Sequence, residues 1–505
     1  MTVQLDGPDP NAIRAAIVAS LPGDTSVPLP DQQLFLPWTH HKALQLDCSL
    51  VVGARGVGKT AWATALLASH DHQPSAALLR WLFPYSLRTV AGFSDRDHNS
   101  HPPTPVFDAL MRDQADPYNI WLAVVLRSLQ TDSTPLPKES WAASTSWVGD
   151  HLEEAWAMVS KANQALGTEN THQLFVFDAL DRISRDGNWL HVSAAIKALL
   201  RLVLELKNFK YLHAKVFLRT DQYQRGSFTD LPDIAKIRAT RVELLWSLID
   251  LHALLWQCLC NGPPSATREI FRSWCLKSSP VSLFGSPDEP ATPSSPEARW
   301  ELPLPVQQDE PVQRQLFERL AGRRMGSGTR RGVPYTWIVN HLADAQGQAT
   351  PRSFLTAIRN AAEESIYRFR DAEHPLHYEG LKRGVQAASE IRIAELEEDH
   401  PWLSELMKPF AERRSLVPFI EEVFEHVLNE AFGSIPEDVP GLAERLPKDL
   451  RSQGIYGLTT YLAQLGLLTP MQDHRLNMPD IYRIGFKLGR RGGIKPVPRT
   501  IAQPD

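Results

Sequence analysis

The chain has 505 residues, of which 43% are hydrophobic, and its formal net charge is −5. This length allows two to four domains with a large core, and the acidic balance excludes a protein whose whole surface binds nucleic acid electrostatically. No run of roughly eighteen apolar residues is present, so we expect no membrane span and no membrane partner.

The N-terminus and the cysteines favour a cytoplasmic protein. Residues 1–32 are polar, contain several prolines and lack the apolar centre of a signal peptide, so we interpret them as an N-terminal extension. The four cysteines have no CxxC or Cys/His spacing typical of a zinc site, and a reducing compartment is the default for such a chain. They are Cys48, Cys258, Cys260 and Cys275.

Residues 51–60 contain the phosphate-binding pattern G-x-x-x-x-G-K-[ST] at every fixed position. Glycines let backbone N–H groups turn toward phosphate oxygens, Lys59 reaches the β- and γ-phosphates, and Thr60 offers its hydroxyl to Mg²⁺. An apolar strand over 48–52 and a helix over 60–68 give the motif its required context. We therefore predict ATP and Mg²⁺ as cofactors, adenine being favoured because no guanine-reading NKxD motif is evident. The predicted cofactor-binding residues of the loop are Gly53, Ala54, Arg55, Gly56, Val57, Gly58, Lys59 and Thr60.

Apolar runs alternate with helical patterns after this loop, which predicts a parallel sheet with helices on both faces. The run that ends in Asp178 has four apolar residues before the acid, which is the Walker B pattern. Ligands of open α/β sheets bind at the carboxyl ends of the strands, so Asp178 is expected beside the loop, where it would hold Mg²⁺ with Thr60. The predicted strands are 76–83, 174–178, 215–221 and 241–246, and a helix is predicted over 188–208.

Arg219 lies at the end of the predicted strand 215–221, where it would point toward the γ-phosphate and stabilise charge in the transition state. Pairing of Arg219 with Asp221, or with a loop carbonyl, is an equal alternative.

Taken together, these motifs resemble the AAA+ and STAND branches of the P-loop NTPases. Phe-Asp-Ala-Leu-Asp-Arg at 177–182 resembles the Walker B form of KAP-like and STAND ATPases, and 217–221 resembles their sensor strand. The resemblance covers about residues 33–250 and extends with less specificity to about 370. It implies an ATP-hydrolysing switch that forms homo-oligomers. Unlike membrane-inserted KAP proteins, this chain has no transmembrane segment.

The same resemblance suggests which carboxylate orients the attacking water. Many related ATPases place a glutamate directly after the Walker B aspartate, but here that position is Ala179. We therefore predict Asp181 as the water-orienting residue, which makes Lys59, Asp181 and Arg219 the predicted catalytic set. The alternative is a structural ion pair of Asp181 with Arg182 at the start of the next helix. Ring-forming ATPases also carry an arginine finger near the strand 241–246. Here Lys236, Arg238 and Arg241 lie there, and a solvated basic loop is the more common outcome.

The domain organisation follows from these patterns. We predict a P-loop core over 33–248, a helical lid over 249–372 and a helical C-terminal region over 373–505. Inside the lid, the stretch 278–298 is rich in proline and serine and is expected to be a disordered insertion. The loop 322–332 is basic and glycine-rich, so it either contacts phosphate or is simply solvated.

A further arginine of the lid is a candidate nucleotide sensor. Thr350 is a suitable N-cap and Pro351 a suitable first helical residue, which places Arg352 in the first turn, where the helix dipole disfavours a cation. The resemblance implies that Arg352 binds nucleotide as the sensor 2 arginine. The alternative is a plain surface arginine.

The C-terminal region is expected to end in a winged helix over 440–498, after an amphipathic helix over 416–432. Between 475 and 499 the chain has seven Lys/Arg and a single acid, Asp480, which makes this segment the best candidate for contact with nucleic acid. Docking on the lid or on a partner protein is the alternative.

Two functions from different classes fit these predictions. The first is an oligomerising AAA+/STAND-like switch ATPase in bacterial anti-phage defence, with a separate effector protein because no effector motif is visible. The second is a DNA-binding initiator- or loader-type ATPase. A scaffold that keeps nucleotide only as a structural ligand is disfavoured, since Lys59, Thr60, Asp178 and Asp181 are all present.

Overall fold

The chain divides into two compact units, 36–245 and the combination of 1–35 with 246–505. The computed structural model describes residues 8–23, 27, 29–70, 73–74, 79, 82–95, 100–129, 135–184, 189–225, 231–278, 299–328, 331–433, 435, 438–439, 442 and 448–490.

A five-stranded parallel sheet forms the centre of the unit 36–245. Its strands are β1 (Leu50–Gly53), β2 (Ser86–Phe93), β3 (Thr171–Phe177), β4 (Leu212–Arg219) and β5 (Val242–Glu243). They lie in the order β2-β3-β4-β1-β5, and each neighbouring pair is parallel. Because β1 lies between β4 and β5, the strand order reverses at β1, and open α/β sheets bind their ligands at such a place.

Helices cover both faces of this sheet. On one face, Phe177 of β3 packs edge-on against Trp121, and both belong to a large apolar cluster with the helices that follow β2 and β3. Helix Lys59–Leu67 also contacts the strands, but none of its described residues joins that cluster, so it covers the opposite face. The helices of this unit are Trp38–Leu44, Lys59–Leu67, Thr104–Arg112, Pro117–Leu129, Trp141–Asp150, Leu152–Thr168, Trp189–Leu206, Thr220–Arg225 and Ile234–Thr240, with a 3₁₀ turn at Leu180–Arg182 and a small hairpin of Ser69–His70 with Gln73–Pro74.

The second unit is helical, and it includes part of the predicted N-terminal extension 1–32. Arg14 in helix Pro10–Ser20 is fully buried. Its guanidinium donates to the carbonyl oxygens of Arg370, Ala372, His374 and Pro375, which ties this helix to the segment after residue 368. The further helices are Leu248–Asn261, Ser265–Ser278, Leu304–Gln308, Glu310–Ala321, Pro334–Leu342, Pro351–Arg368 and Tyr378–Asp399, with a 3₁₀ turn at Asp31–Gln33.

The last part of this unit has the winged-helix-like arrangement that the sequence predicts, but its sheet includes Phe419–Ile420, which come before the predicted range 440–498. Thr469–Pro470, Arg475–Asn477 and Phe419–Ile420 form a three-stranded antiparallel sheet beside short helices. Strand Gly489–Arg490 pairs in parallel with Leu416–Val417. The helices are Trp402–Glu412, Glu421–Phe432, Lys448–Arg451, Gly454–Gln464 and Asp480–Gly485.

Several predicted boundaries are wrong. The predicted strand 76–83 lies largely outside the described residues, and the strand that follows it, Ser86–Phe93, was not predicted. The predicted strand 215–221 ends at Arg219, because Thr220 begins a helix.

Two further predictions concern segments of the second unit, the helix 416–432 and the insertion 278–298. The predicted helix 416–432 begins only at Glu421, since the residues before it form two short strands. The predicted insertion 278–298 lies outside the described residues from 279 onward. None of the described helices has the length and apolar character that crossing a membrane requires.

Candidate nucleotide-binding site

The predicted phosphate loop connects β1 to helix Lys59–Leu67 at the carboxyl edge of the sheet. Gly58 precedes the helix with φ 98°, a conformation that L side chains rarely adopt. At Gly53 a Cβ atom would lie only 2.7 Å from Cγ2 of Val57, so the loop closes over this residue. As the N-cap residue, Gly58 has no side chain with which to cap the helix, and an N-terminus of this kind suits an anion.

Lys59 is folded back into this loop. Its ammonium group donates to the carbonyl oxygens of Gly53 and Ala54, each at 2.8 Å. Burial and the neighbouring charge of Arg219 lower the pKa of Lys59 to about 8, against the opposing effect of three nearby aspartates. The group is thus protonated at neutral pH, and its charge is only weakly stabilised by solvent.

Asp178 and Thr60 are in contact beneath the loop. Asp178 follows β3, is only 4% exposed, and its backbone N–H donates to the carbonyl oxygen of Phe93 at 2.9 Å. Burial raises the pKa of Asp178, while a hydrogen bond from Thr60 and the charge of Lys59 oppose the rise. A buried carboxylate beside a hydroxyl is a pair of hard oxygen donors that fits Mg²⁺. The described residues contain no cluster of three or more His, Cys, Asp or Glu that would hold a metal ion, but Mg²⁺ at phosphates needs only one or two protein ligands.

Ala179 bends the chain directly after Asp178. Its φ of 55° and ψ of 34° are left-handed, which is unusual for alanine and costs roughly 1–2 kcal/mol. In this conformation its N–H donates to the carboxylate of Asp178. The bend starts the turn Leu180–Arg182, which carries Asp181 at the edge of the site with its side chain 40% exposed.

Arg219 lies on the strand next to the loop, and its Cα is opposite that of Gly53 in the parallel register. Its Nε donates to Oδ1 of Asp221 at 2.9 Å and its Nη2 to Oδ2 at 3.0 Å. Its Nη1 lies 3.8 Å from Oδ2 of Asp181. The pairing with Asp221 that the sequence left open is therefore present, and Arg219 also approaches Asp181.

The ion pair of Arg182 differs from the alternative that the sequence suggested for it. Nη1 of Arg182 lies 3.3 Å from Oδ2 of Asp95, in the segment that follows β2. Sequence reasoning missed Asp95 because it missed β2, after which an acid at the carboxyl edge would have been the signal.

Two buried polar residues that the sequence analysis did not single out hold the segment before β1 and the helix after the loop. Lys215 of β4 is fully buried and donates to the carbonyl oxygens of Ala43, Gln45 and Cys48, at 2.7, 2.9 and 2.5 Å. The Nδ1 atom of His40 accepts from the indole N–H of Trp62 in the helix after the loop, at 3.2 Å. The only signal for Lys215 was a lysine at the start of an apolar run.

Two of the basic residues that lie where an arginine finger was considered have local contacts. Lys236 pairs with Asp233 at 2.9 Å, and Arg241 lies over the ring of Tyr223, 4.7 Å from its centroid. Both contacts are local to the segment between β4 and β5. Neither residue is brought to the phosphate loop by a described contact.

Arg352 belongs to the second unit and pairs there with Glu395. The predicted N-cap is confirmed, since the hydroxyl of Thr350 accepts from the N–H of Ser353 at 3.2 Å. Glu395 therefore gives a local reason for a cation in the first turn of this helix.

The predicted nucleic-acid segment 475–499 is only partly basic at its surface. Arg483 is fully buried, donating to Asp480 at 2.7 Å and to the carbonyl oxygen of Leu488 at 3.1 Å, so it is not a contact for nucleic acid. Arg475 pairs with Asp473 and Arg490 with Asp480. Residues 491–499 lie outside the described residues.

Comparison with known proteins gives only distant structural likeness. Neither a protein-family profile nor a curated protein sequence matches this chain. The ORC2 protein of Aeropyrum pernix, solved in ADPNP-ADP complexes, is 12% identical with a TM-score of 0.39, over 86% of this chain and 83% of that chain. The Walker-type ATPase of Pyrococcus abyssi is 11% identical with a TM-score of 0.35, over 90% and 96%. Cdc6p from Pyrobaculum aerophilum is 12% identical with a TM-score of 0.29, over 86% and 85%. These scores are low, so the α/β P-loop fold is assigned from the sheet and the loop of this chain.

Proposed function

We propose that this protein binds ATP with Mg²⁺ and hydrolyses it as a switch ATPase of the AAA+/STAND type. The observation that carries the proposal is the meeting of Lys59, Thr60 and Asp178 at the carboxyl edge of the sheet, where the chain order of the strands reverses. A cation on a glycine loop, with a buried carboxylate and a hydroxyl beneath it, is suited to a nucleoside triphosphate and its metal ion.

Each residue has a proposed role in this scheme. Lys59 leaves the carbonyls of the loop and binds the β- and γ-phosphates, and the backbone N–H groups of 53–60 surround the phosphate oxygens. Thr60 and Asp178 hold Mg²⁺, which when bound neutralises charge on the phosphates. Asp181, half-exposed at the rim, orients the attacking water.

Arg219 is proposed to stabilise the charge that develops on the transferred phosphoryl group. Its position opposite Gly53 and the proximity of its charge to Lys59 support this role. Arg352 is proposed as the sensor 2 arginine, a role that rests on the motif resemblance. Release of Arg352 from Glu395 would then accompany nucleotide binding.

The biological setting is a proposal from the resemblance alone. We propose a cytoplasmic switch that oligomerises with ATP and acts through a separate effector in bacterial anti-phage defence. Slow turnover suits such a switch, because the bound state must persist.

A second candidate, a DNA-binding initiator or loader, is favoured by the winged-helix-like arrangement with its hairpin Thr469–Asn477. Against it, helix Gly454–Gln464 contains no lysine or arginine, and helix Glu421–Phe432 begins with two glutamates. Binding to DNA through phosphates depends on such cations and weakens steeply with salt. The first candidate is therefore preferred.

One experiment tests the proposal and separates the two candidates. ATP turnover and light-scattering mass are measured for the purified protein, with and without duplex DNA, beside Lys59→Ala and Asp181→Ala. Lys161→Ala and Asp150→Ala serve as controls, because they remove the same charges from exposed positions of the same unit. The switch predicts a mass increase with ATP that DNA does not change. Turnover that rises with DNA would favour the initiator, and equal turnover of wild type and Lys59→Ala would refute ATP hydrolysis at this loop.

A further inference from the structure

Asp221 holds the arginine that lies beside the phosphate loop. It lies in the first turn of helix Thr220–Arg225. Its carboxylate accepts hydrogen bonds from Nε of Arg219 at 2.9 Å and from Nη2 at 3.0 Å. We propose that this ion pair is a latch through which Asp221 sets the discrimination between nucleoside triphosphates and diphosphates. A γ-phosphate competes with Asp221 for the guanidinium of Arg219, whereas a diphosphate leaves the pair intact. This inference rests on the proposed function of the loop as a nucleotide site.

The geometry suits such a competition. A two-point pair between guanidinium and carboxylate uses the same fork of donors that a phosphate would use, so the two anions compete for the same N–H groups. The side chains of Arg219 and Asp221 are only 13% and 20% exposed, so the pair is weakly screened by solvent. Asp181, 3.8 Å from Nη1, already offers the guanidinium a second anionic neighbour on the side of the site.

The position of Arg219 links the latch to the loop. Its Cα is opposite that of Gly53, the first residue of the phosphate loop. The charge of Arg219 contributes to the lowered pKa of Lys59, as expected for two cations that share one site. A γ-phosphate between these two cations would relieve their repulsion. An α- or β-phosphate, held by the loop N–H groups, would relieve it less.

Two unsatisfied polar atoms flank Asp221. Among the described residues, Oγ1 of Thr220 and Nε2 of Gln222 are buried and have no hydrogen-bond partner. Gln222 is otherwise fixed, since its Oε1 accepts from the backbone N–H of Arg219 at 2.9 Å. Buried donors without partners are uncommon in folded proteins, and a further acceptor bound at this edge of the sheet would satisfy these two.

The test compares Asp221→Asn with wild type. The amide keeps the shape of the side chain but removes the charge that competes with phosphate. Affinities for ADP and for a non-hydrolysable ATP analogue are measured by calorimetry, each with Mg²⁺. We expect the preference for the triphosphate to increase about 3- to 10-fold, the range of a partly exposed charged pair.

The controls separate the latch from a general charge effect. Asp150→Asn removes the same charge from an exposed helix end of the unit and should leave the preference unchanged. In Arg219→Ala, adding Asp221→Asn should have no further effect on the preference, because the two residues act as one pair. Asp221→Ala takes the place of the amide variant if the latter does not fold.

Three results would overturn the latch. They are an unchanged preference in Asp221→Asn, an equal gain for both nucleotides, and a shift that persists in the Arg219→Ala background. All three leave the proposed nucleotide site intact. If wild type binds neither nucleotide, the proposed function itself is refuted, so the two failures are distinguishable.

Discussion

The ammonium group of Lys59 donates a hydrogen bond to the carbonyl oxygen of Gly53 at 2.8 Å, across the turn of the loop that contains both residues. Together with its bond to the carbonyl oxygen of Ala54, this contact satisfies two backbone acceptors of the loop. The loop is thus closed around its own lysine, which is available to exchange two neutral acceptors for charged phosphate oxygens.

The first prediction concerns this exchange. Lys59→Ala should weaken ATP binding about 10- to 100-fold, the equivalent of one or two charge-assisted hydrogen bonds. Calorimetric titration with ATP and Mg²⁺ measures the effect. Lys161→Ala, on the exposed side of helix Leu152–Thr168, is the matched control and should bind as wild type does. Equal affinities of Lys59→Ala and wild type would remove Lys59 from the site.

The second prediction follows from the lowered pKa of the same group. Since burial lowers the pKa of Lys59 to about 8, its charge is present at pH 7 and is lost as the pH rises through that value. ATP affinity should therefore decrease above pH 8, by up to about tenfold per pH unit. The decrease should end at the higher pKa that Lys59 has beside a bound phosphate. Lys59→Arg keeps its charge over this range, so its profile should be flat. A parallel decrease in both proteins would assign the effect to other groups.

The third prediction concerns Lys215, whose ammonium holds three carbonyls of the segment that leads into β1. Lys215→Met removes a buried charge but leaves these acceptors without a donor, and we expect a loss of about 2–4 kcal/mol in the free energy of unfolding. Urea denaturation measures it, with Lys161→Met as the control. A stability equal to wild type would mean that the desolvated ammonium contributes nothing beyond packing.

The fourth prediction uses the left-handed conformation of Ala179. Ala179→Gly should stabilise the protein by about 0.5–1 kcal/mol, because relief of strain exceeds the added entropy of the unfolded chain. Ala142→Gly makes the same change in an exposed helical position and should destabilise by about 1 kcal/mol. Destabilisation by both changes, as measured by urea denaturation, would show that the bend after Asp178 stores no strain.

The parts of the core that the sequence predicted well are those with one dominant physical signal. A central strand such as β3 is buried on both faces and needs a continuous apolar run, so Thr171–Phe177 and the position of Asp178 after it were recognisable. The strand β2 lies at the edge of the sheet beside β3, and only its last three residues are consecutively buried, so its first half lacks the continuous apolar run that marks a central strand.

Charge pairing was less predictable than strand position. The sequence left the contact of Arg219 with Asp221 open, since a two-residue separation allows it only because the strand ends and a helix begins between them. The burial of Arg483 was not predictable, because it lies in a segment rich in lysine and arginine that is typical of an exposed surface. Its partners, Asp480 and the carbonyl oxygen of Leu488, become close only through the turn of a short helix.

The most direct test of the account is Mg²⁺-dependent ATP hydrolysis by the purified protein beside Asp178→Asn. The amide keeps the shape and the contact with Thr60 but lacks the charge that would hold the metal ion. We predict turnover by wild type that disappears when Mg²⁺ is withheld, and loss of at least about tenfold in the variant at equal folding stability. Equal turnover by wild type and Asp178→Asn, or no nucleotide binding by wild type, would contradict the assignment of this sheet edge as an ATP site.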